Sequence, residues 1–181
     1  MRFTPLALDG AWVIELERHE DERGSFARTF CEAEFAAHGL PTRFPQSNLS
    51  SNRTAGTLRG MHFNTRAHWE AKLVRCSRGA IYDVIVDLRA TSPSRGRWTG
   101  VELTATNGTA LYVPEGFAHG FITLADETDV LYDMGQSYVP DAARGARWDD
   151  PTFAITWPRS PAVISDRDAT YPDYDPVVLD G

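Results

Sequence analysis

The chain has 181 residues, 42% of them hydrophobic and 24% charged, which is enough apolar material for a single domain over 1–181 and cramped for two. A formal net charge of −7 excludes a broad nucleic-acid surface, because such binding neutralises many backbone phosphates, yet a few local cations can still hold one small anionic ligand. No apolar run is long enough to cross a bilayer, and the start, Met1-Arg2-Phe3-Thr4-Pro5, lacks the apolar core of a secretory signal, so a cytoplasmic protein with Cys31 and Cys76 as free thiols is expected.

Residues 12–17 (Trp-Val-Ile-Glu-Leu-Glu) read as a first strand, and the charged turn around Asp21, Arg23 and Gly24 predicts a hairpin returning through 26–30. Helix formers over 32–38, stopped by Gly39, predict one short helix. Pro41 and Pro45 then force extended chain, and the polar stretch from Gln46, with Asn48, Ser50 and Asn52 able to form side-chain turns, predicts a loop bordering the site. Further strands are expected over 81–88, 98–104, 110–113, 117–124 and 129–134, with Asn107-Gly108 as a tight turn. Short strands at even spacing point to an all-β jelly roll, over which the proline-rich tail from Asp141, without helical period, is expected to wrap.

The stretch Gly56-Thr57-Leu58-Arg59-Gly60-Met61-His62-Phe63-Asn64, followed by Glu70, Lys72, Arg75 and Gly79, brings an imidazole and several cations into one short span suited to the inner face of a small barrel. A second span has the same spacing: Gly108, five residues, then Pro114-Glu115-Gly116-Phe117-Ala118-His119. Read singly, His62 and His119 are ordinary structural histidines, Tyr132 is a core aromatic, and Lys72 and Arg59 are surface cations. Asp83 and Asp87 alternate with valines, so they either line a pocket or face solvent, and in the first case Asp83 is a candidate to orient His119.

The paired spans resemble the two signature motifs of the cupin superfamily, a jelly-roll barrel with a central pocket. Metal-binding cupins carry a second histidine where this chain has Asn64, so no metal is expected, and Glu70 would be a ligand only in a different cupin. A closer resemblance covers almost the whole chain. Leu58-Arg59-Gly60-Met61-His62, Lys72-Leu73-Val74-Arg75, the run from Asp83 to Arg89, the run from Val113 to Phe121, and Arg147-Trp148-Asp149-Asp150-Pro151 look like the dTDP-4-dehydrorhamnose 3,5-epimerase family.

That resemblance implies a cofactor-free homodimeric cupin with one or two short peripheral helices. It inverts C3, C5 or both beside the ketone of a nucleoside-diphosphate 4-keto-6-deoxyhexose. It implies His62 as base, Asp168 as its orienting carboxylate, Tyr132 as proton donor and Lys72 as the cation facing the enolate. It further implies substrate contacts at Gln46, Asn48, Arg59 and His119, and at Arg23 supplied by the partner subunit; Tyr138 and Arg167 are expected as further substrate contacts beside these.

The chemistry suits these residue types. A proton beside a ketone needs a base active near neutrality and a cation where charge develops, and histidine, with an ordinary pKa of about 6.5, meets the first need. Arg59 and Arg23 offer planar bidentate donors for a diphosphate. Tyr138 lies six residues after Tyr132 and, on a continuous strand, points to the same side, so periodicity alone leaves both as donors. Departures from the family pattern fall on the rim: Arg28 and Ala143 replace glutamates, Arg167 replaces a lysine, and Phe63-Asn64 replaces a Tyr-Gln pair. A non-catalytic nucleotide-sugar-binding cupin and a metal-dependent cupin isomerase or oxygenase stay open as alternatives.

Overall fold

Alternating apolar runs that bury two faces at once require a layered β structure, and a computed structural model describes residues 1–179 in that form. Among the described residues the first strands are β1 (Arg2–Pro5), β2 (Trp12–Glu15), β3 (His19–Asp21) and β4 (Gly24–Phe26), followed by helix α1 (Glu32–Ala37). Next come β5 (Gln46–Asn52), β6 (Thr57–Asn64), β7 (Lys72–Arg78), β8 (Ala80–Asp87), β9 (Trp98–Thr104), β10 (Ala110–Val113), β11 (Phe117–Thr123) and β12 (Thr128–Met134). The tail holds β13 (Ala143–Gly145), β14 (Val163–Ile164) and helix α2 (Asp166–Ala169).

One sheet has the order β1-β2-β10-β7-β12-β5, and the other runs β13-β6-β11-β8-β9 with β14 added in parallel to β6. They face each other as a jelly-roll barrel. Val74, Leu111 and Val130 from the first sheet meet Ile81, Ile85, Phe117 and Phe121 from the second in the central core. On the outer face of the second sheet, Met61, Phe63, Val84 and Val86 are covered by Phe153, Trp157, Tyr174 and Leu179 of the tail. The outer face of the first sheet packs Ile14, Leu73 and Tyr112 under Phe35 of α1. This double coverage explains why β8 is buried on both sides, and the expected wrapping of the tail takes this form.

Helix α1 ends as its residues dictate: Gly39 takes φ +69°, and its amide donates to the Ala36 carbonyl at 3.0 Å. Three expectations are corrected. The strand beginning at Trp12 does not pair with 26–30; it lies between β1 and β10, and the hairpin at Arg23 is the short β3–β4 pair. The stretch from Gln46 is not a loop but the edge strand β5, paired along its length with β12, because the ladder and one half-buried face outweigh the low strand propensity of Asn and Ser. The Asn107-Gly108 turn forms as expected and carries the chain from β9 in one sheet to β10 in the other. Finally, Tyr138 lies beyond the end of β12 at Met134, so the strand period does not relate it to Tyr132.

Candidate active site

Strands β6 and β11 run antiparallel with His62 opposite His119. Beside them Gly60 takes φ +134°, and a Cβ there would stand 2.5 Å from the Cα of Gly120. Glycine is therefore what allows the two strands to approach so closely. The Gly60 amide donates to Asp168 Oδ2 at 3.2 Å, and His62 Nε2 and Asp168 Oδ1 are 2.8 Å apart. Asp168 arrives from far along the chain: β14 lies against β6, and Ser165 caps α2 by accepting from the Asp168 amide at 3.2 Å. Burial alone would raise the Asp168 carboxyl, but the His62 hydrogen bond and charge, the Gly60 amide and the Arg167 charge outweigh it and hold the carboxyl below the ordinary aspartate range.

His119 forms a second pair, with Nε2 2.7 Å from Asp83 Oδ1, both buried. Its neighbour on the strand face, Asp87, is also buried and not solvated, held by Arg89 at 2.7 Å and Ser94 at 2.7 Å.

The opposite sheet supplies the remaining polar groups. Across β7, β12 and β5, Lys72 stands level with Met134 and Gln46, and Val74 with Tyr132 and Asn48, so Lys72, Tyr132 and Asn48 share the inner face. The Tyr132 ring packs at 6.3 Å from His119 and 6.4 Å from Phe121. Burial raises its hydroxyl pKa above the ordinary value, against the opposing effects of a Ser50 hydrogen bond and the Arg59 charge, so it is protonated at neutral pH. Lys72 is buried with Nζ 3.3 Å from Glu70 Oε1.

These groups enclose a cavity of about 240 Å³ lined by Asn48, Arg59, His62, Lys72, His119 and Tyr132, together with Phe121 and Met134. An outer chamber of about 210 Å³ shares Asn48, His62, Lys72 and Met134 with it, and adds Gln46, Tyr138, Arg144 and Arg167. Gln46 ties this rim together, donating to Asn48 Oδ1 and accepting from the Tyr138 amide, each at 3.0 Å. Arg23 is not among these residues. It sits exposed on the β3–β4 hairpin, paired with Asp21, and Arg28 is paired with Glu34.

Several lining or supporting residues escaped the sequence reading. Asn52, Phe121, Met134 and Arg144 were not singled out as site residues, although the even spacing of Gln46, Asn48, Ser50 and Asn52 carries the strand signal that would have placed the first. Tyr171 packs edge-on to His62 at 6.2 Å, in space left by Gly145, and nothing in its local pattern announces this. Among the described residues no three His, Cys, Asp or Glu side chains converge as a metal site; His62 and His119 are each engaged with a separate carboxylate.

A family model described as dTDP-4-dehydrorhamnose 3,5-epimerase matches residues 5–175. The dTDP-4-dehydrorhamnose 3,5-epimerase of Methanothermobacter thermautotrophicus is 46% identical over 94% of this chain and 92% of its own length. A dTDP-4-dehydrorhamnose 3-epimerase of Streptomyces niveus is 40% identical over 93% of this chain and 81% of its own. A crystal structure of dTDP-4-dehydrorhamnose 3,5-epimerase from Bacillus anthracis str. Ames with TDP and PPi bound has a TM-score of 0.92 at 38% identity, covering 96% of this chain and 99% of that one. A cupin-type jelly roll with this site, matched along almost its whole length, belongs to the dTDP-4-dehydrorhamnose 3,5-epimerase family of isomerases.

Proposed function

We propose that the chain, acting as one cupin domain, epimerises C3, C5 or both of a dTDP-linked 4-keto-6-deoxyhexose in deoxysugar biosynthesis. The observation that carries this reading is the division of labour between the two sheets. His62, paired with Asp168 of the tail helix α2, stands on one, Tyr132 and Lys72 stand on the other, and all but the carboxylate border the same cavity. A sugar held between the sheets meets a base on one ring face and a protonated hydroxyl on the other.

His62 takes the proton beside the ketone, and Asp168 stabilises the imidazolium and fixes the ring. Nε2 is on the carboxylate, which leaves Nδ1 to the substrate. Lys72 faces the oxygen on which the enolate charge develops, the interaction that strengthens in the transition state. Tyr132 returns a proton from the far face, so the carbon is inverted with no net change in atoms, and both groups re-equilibrate with solvent. His119, fixed by Asp83, and Asn48 contact the sugar, while Arg59, Gln46, Tyr138 and Arg167 hold the nucleotide diphosphate. Arg23 acts in the pocket of a second copy, so the enzyme works as a homodimer; its position outside both chambers of its own chain supports this. Cytoplasmic residence fits the unpaired Cys31 and Cys76.

NMR of dTDP-4-keto-6-deoxyglucose incubated with the protein in heavy water tests the reading: deuterium should enter at C3, C5 or both with inverted configuration, and a substrate that exchanges nothing would overturn it. Tyr132→Phe sharpens the test. The enolate should still form and be reprotonated by His62 on the face it left, giving deuterium with retained configuration. Inversion at the normal rate would move the donor's role to Tyr138 or to an ordered water.

A further inference from the structure

We infer that Asn52 is a positioning residue for Arg59, an inference that rests on the reading of Arg59 as a diphosphate contact. Asn52 closes β5, opposite Thr128 of β12, and is 4% exposed. Its Nδ2 donates to the backbone carbonyls of Ser50 and Thr128, each at 3.1 Å. Both amide hydrogens are thereby used by the backbone, which fixes the side-chain orientation and leaves Oδ1 as the acceptor. That oxygen receives Arg59 Nε at 2.8 Å, and Ser50 Oγ at 3.4 Å.

The consequence is geometric. An arginine side chain has many rotamers, and an anion that must first select one of them binds more weakly than an anion that finds the guanidinium already placed. Asn52 holds the inner nitrogen of the fork and leaves the two Nη groups, the pair suited to bidentate contact with a phosphate, for the ligand. Arg59 lines the cavity, whereas Asn52 does not, so Asn52 acts on the ligand only through Arg59. A serine or an alanine at this place could not reach both backbone carbonyls and the guanidinium together.

Calorimetric titration with dTDP on four proteins tests this: the wild type, Asn52→Ala, Arg59→Ala and the double variant. Asn52→Ala should weaken dTDP binding by about 3- to 10-fold and raise KM while kcat stays within about twofold, as expected for lost preorganisation of a contact made equally in ground and transition states. In the Arg59→Ala background the same change should alter Kd by less than about twofold, because the group it positions has gone. Equal losses in both backgrounds, or wild-type affinity in Asn52→Ala, would overturn the inference and leave Asn52 as a tie between β5 and β12. Unchanged affinity in Arg59→Ala would instead refute the diphosphate role of Arg59, and the inference with it. Melting temperatures should fall in both backgrounds, since the backbone ties are lost in each. If Asn52→Ala does not fold, Asn52→Ser, which keeps one polar atom for the neighbouring carbonyls, carries the same cycle.

Discussion

The two histidine–aspartate pairs of the barrel are nearly the same in chemistry and opposite in setting. His62 and Asp168 are 2.8 Å apart, with side chains 41% and 7% exposed; His119 and Asp83 are 2.7 Å apart, at 7% and 0%. The histidines face each other across β6 and β11, but Asp168 comes from the tail helix, whereas Asp83 comes from the adjoining strand β8. A carboxylate brought in from outside the barrel leaves its imidazole open to a ligand. One built into the sheet buries its imidazole and makes it a fixed wall. Residue type and hydrogen bond are therefore shared by the two pairs; what differs is access to a ligand.

Removing the open histidine should produce the largest effect. His62→Ala is expected to reduce turnover on the order of 10² to 10⁴-fold and to abolish deuterium uptake, measured by the same NMR assay, because no enolate forms. Solvent exchange that survives in this variant would mean that His119 is the base.

Asp168→Asn keeps the shape of the open pair and removes its charge, so turnover should fall, though by less than on removal of His62, because an imidazolium formed at His62 loses the carboxylate that stabilises it. The variant also has a signature in stability. Folding lowers the Asp168 carboxyl below the ordinary aspartate value, so its contribution is complete above about pH 3.9 and is lost as pH falls through the lower folded value. Thermal melts across that acid window should show a shallower decline for Asp168→Asn than for the wild type. Parallel declines would assign the acid sensitivity to other carboxylates, such as Asp87, which Arg89, Ser92 and Ser94 hold low against the opposing effect of burial.

The smallest catalytic effect is expected from the closed pair. His119→Ala should cost less activity than Asp168→Asn but more stability, about 1–3 kcal/mol in urea unfolding, since Asp83 would lose its partner inside the sheet. A larger catalytic loss than in Asp168→Asn, with unchanged stability, would invert the comparison.

Elements whose pattern is local and apolar were legible before any coordinates. Strand β8, the strand β11 that carries His119, and the α1 stop at Gly39 follow from alternation and turn chemistry. Strand β5 was not, because Gln46, Asn48, Ser50 and Asn52 are poor strand formers whose extended state is supplied by β12, a partner 76 residues away at Asn52. The neighbours of β2 were missed for the same reason: its ladders are to β1 and β10. At the site, periodicity could group His62 with Lys72 and Arg59 because they share one span. It could not bring in Asp168, 106 residues from His62; only the family resemblance did so. Tyr171 was invisible to both, since its place depends on the gap left by Gly145.

The close approach of β6 and β11 also bears on how this enzyme could be remade for other sugars. A side chain at Gly60 would meet the Gly120 backbone at 2.5 Å, and one at Gly120 would meet the Arg59 carbonyl at 2.9 Å, so neither position can be diversified. Among the described residues the facing wall ends in β5, which pairs with β12 alone. Its inward side chains Asn48 and Ser50 are short and uncharged, so changing them disturbs one ladder instead of two. Saturation mutagenesis aimed at substrate scope has its productive ground there, on the edge strand, with His62 left untouched on the opposite sheet.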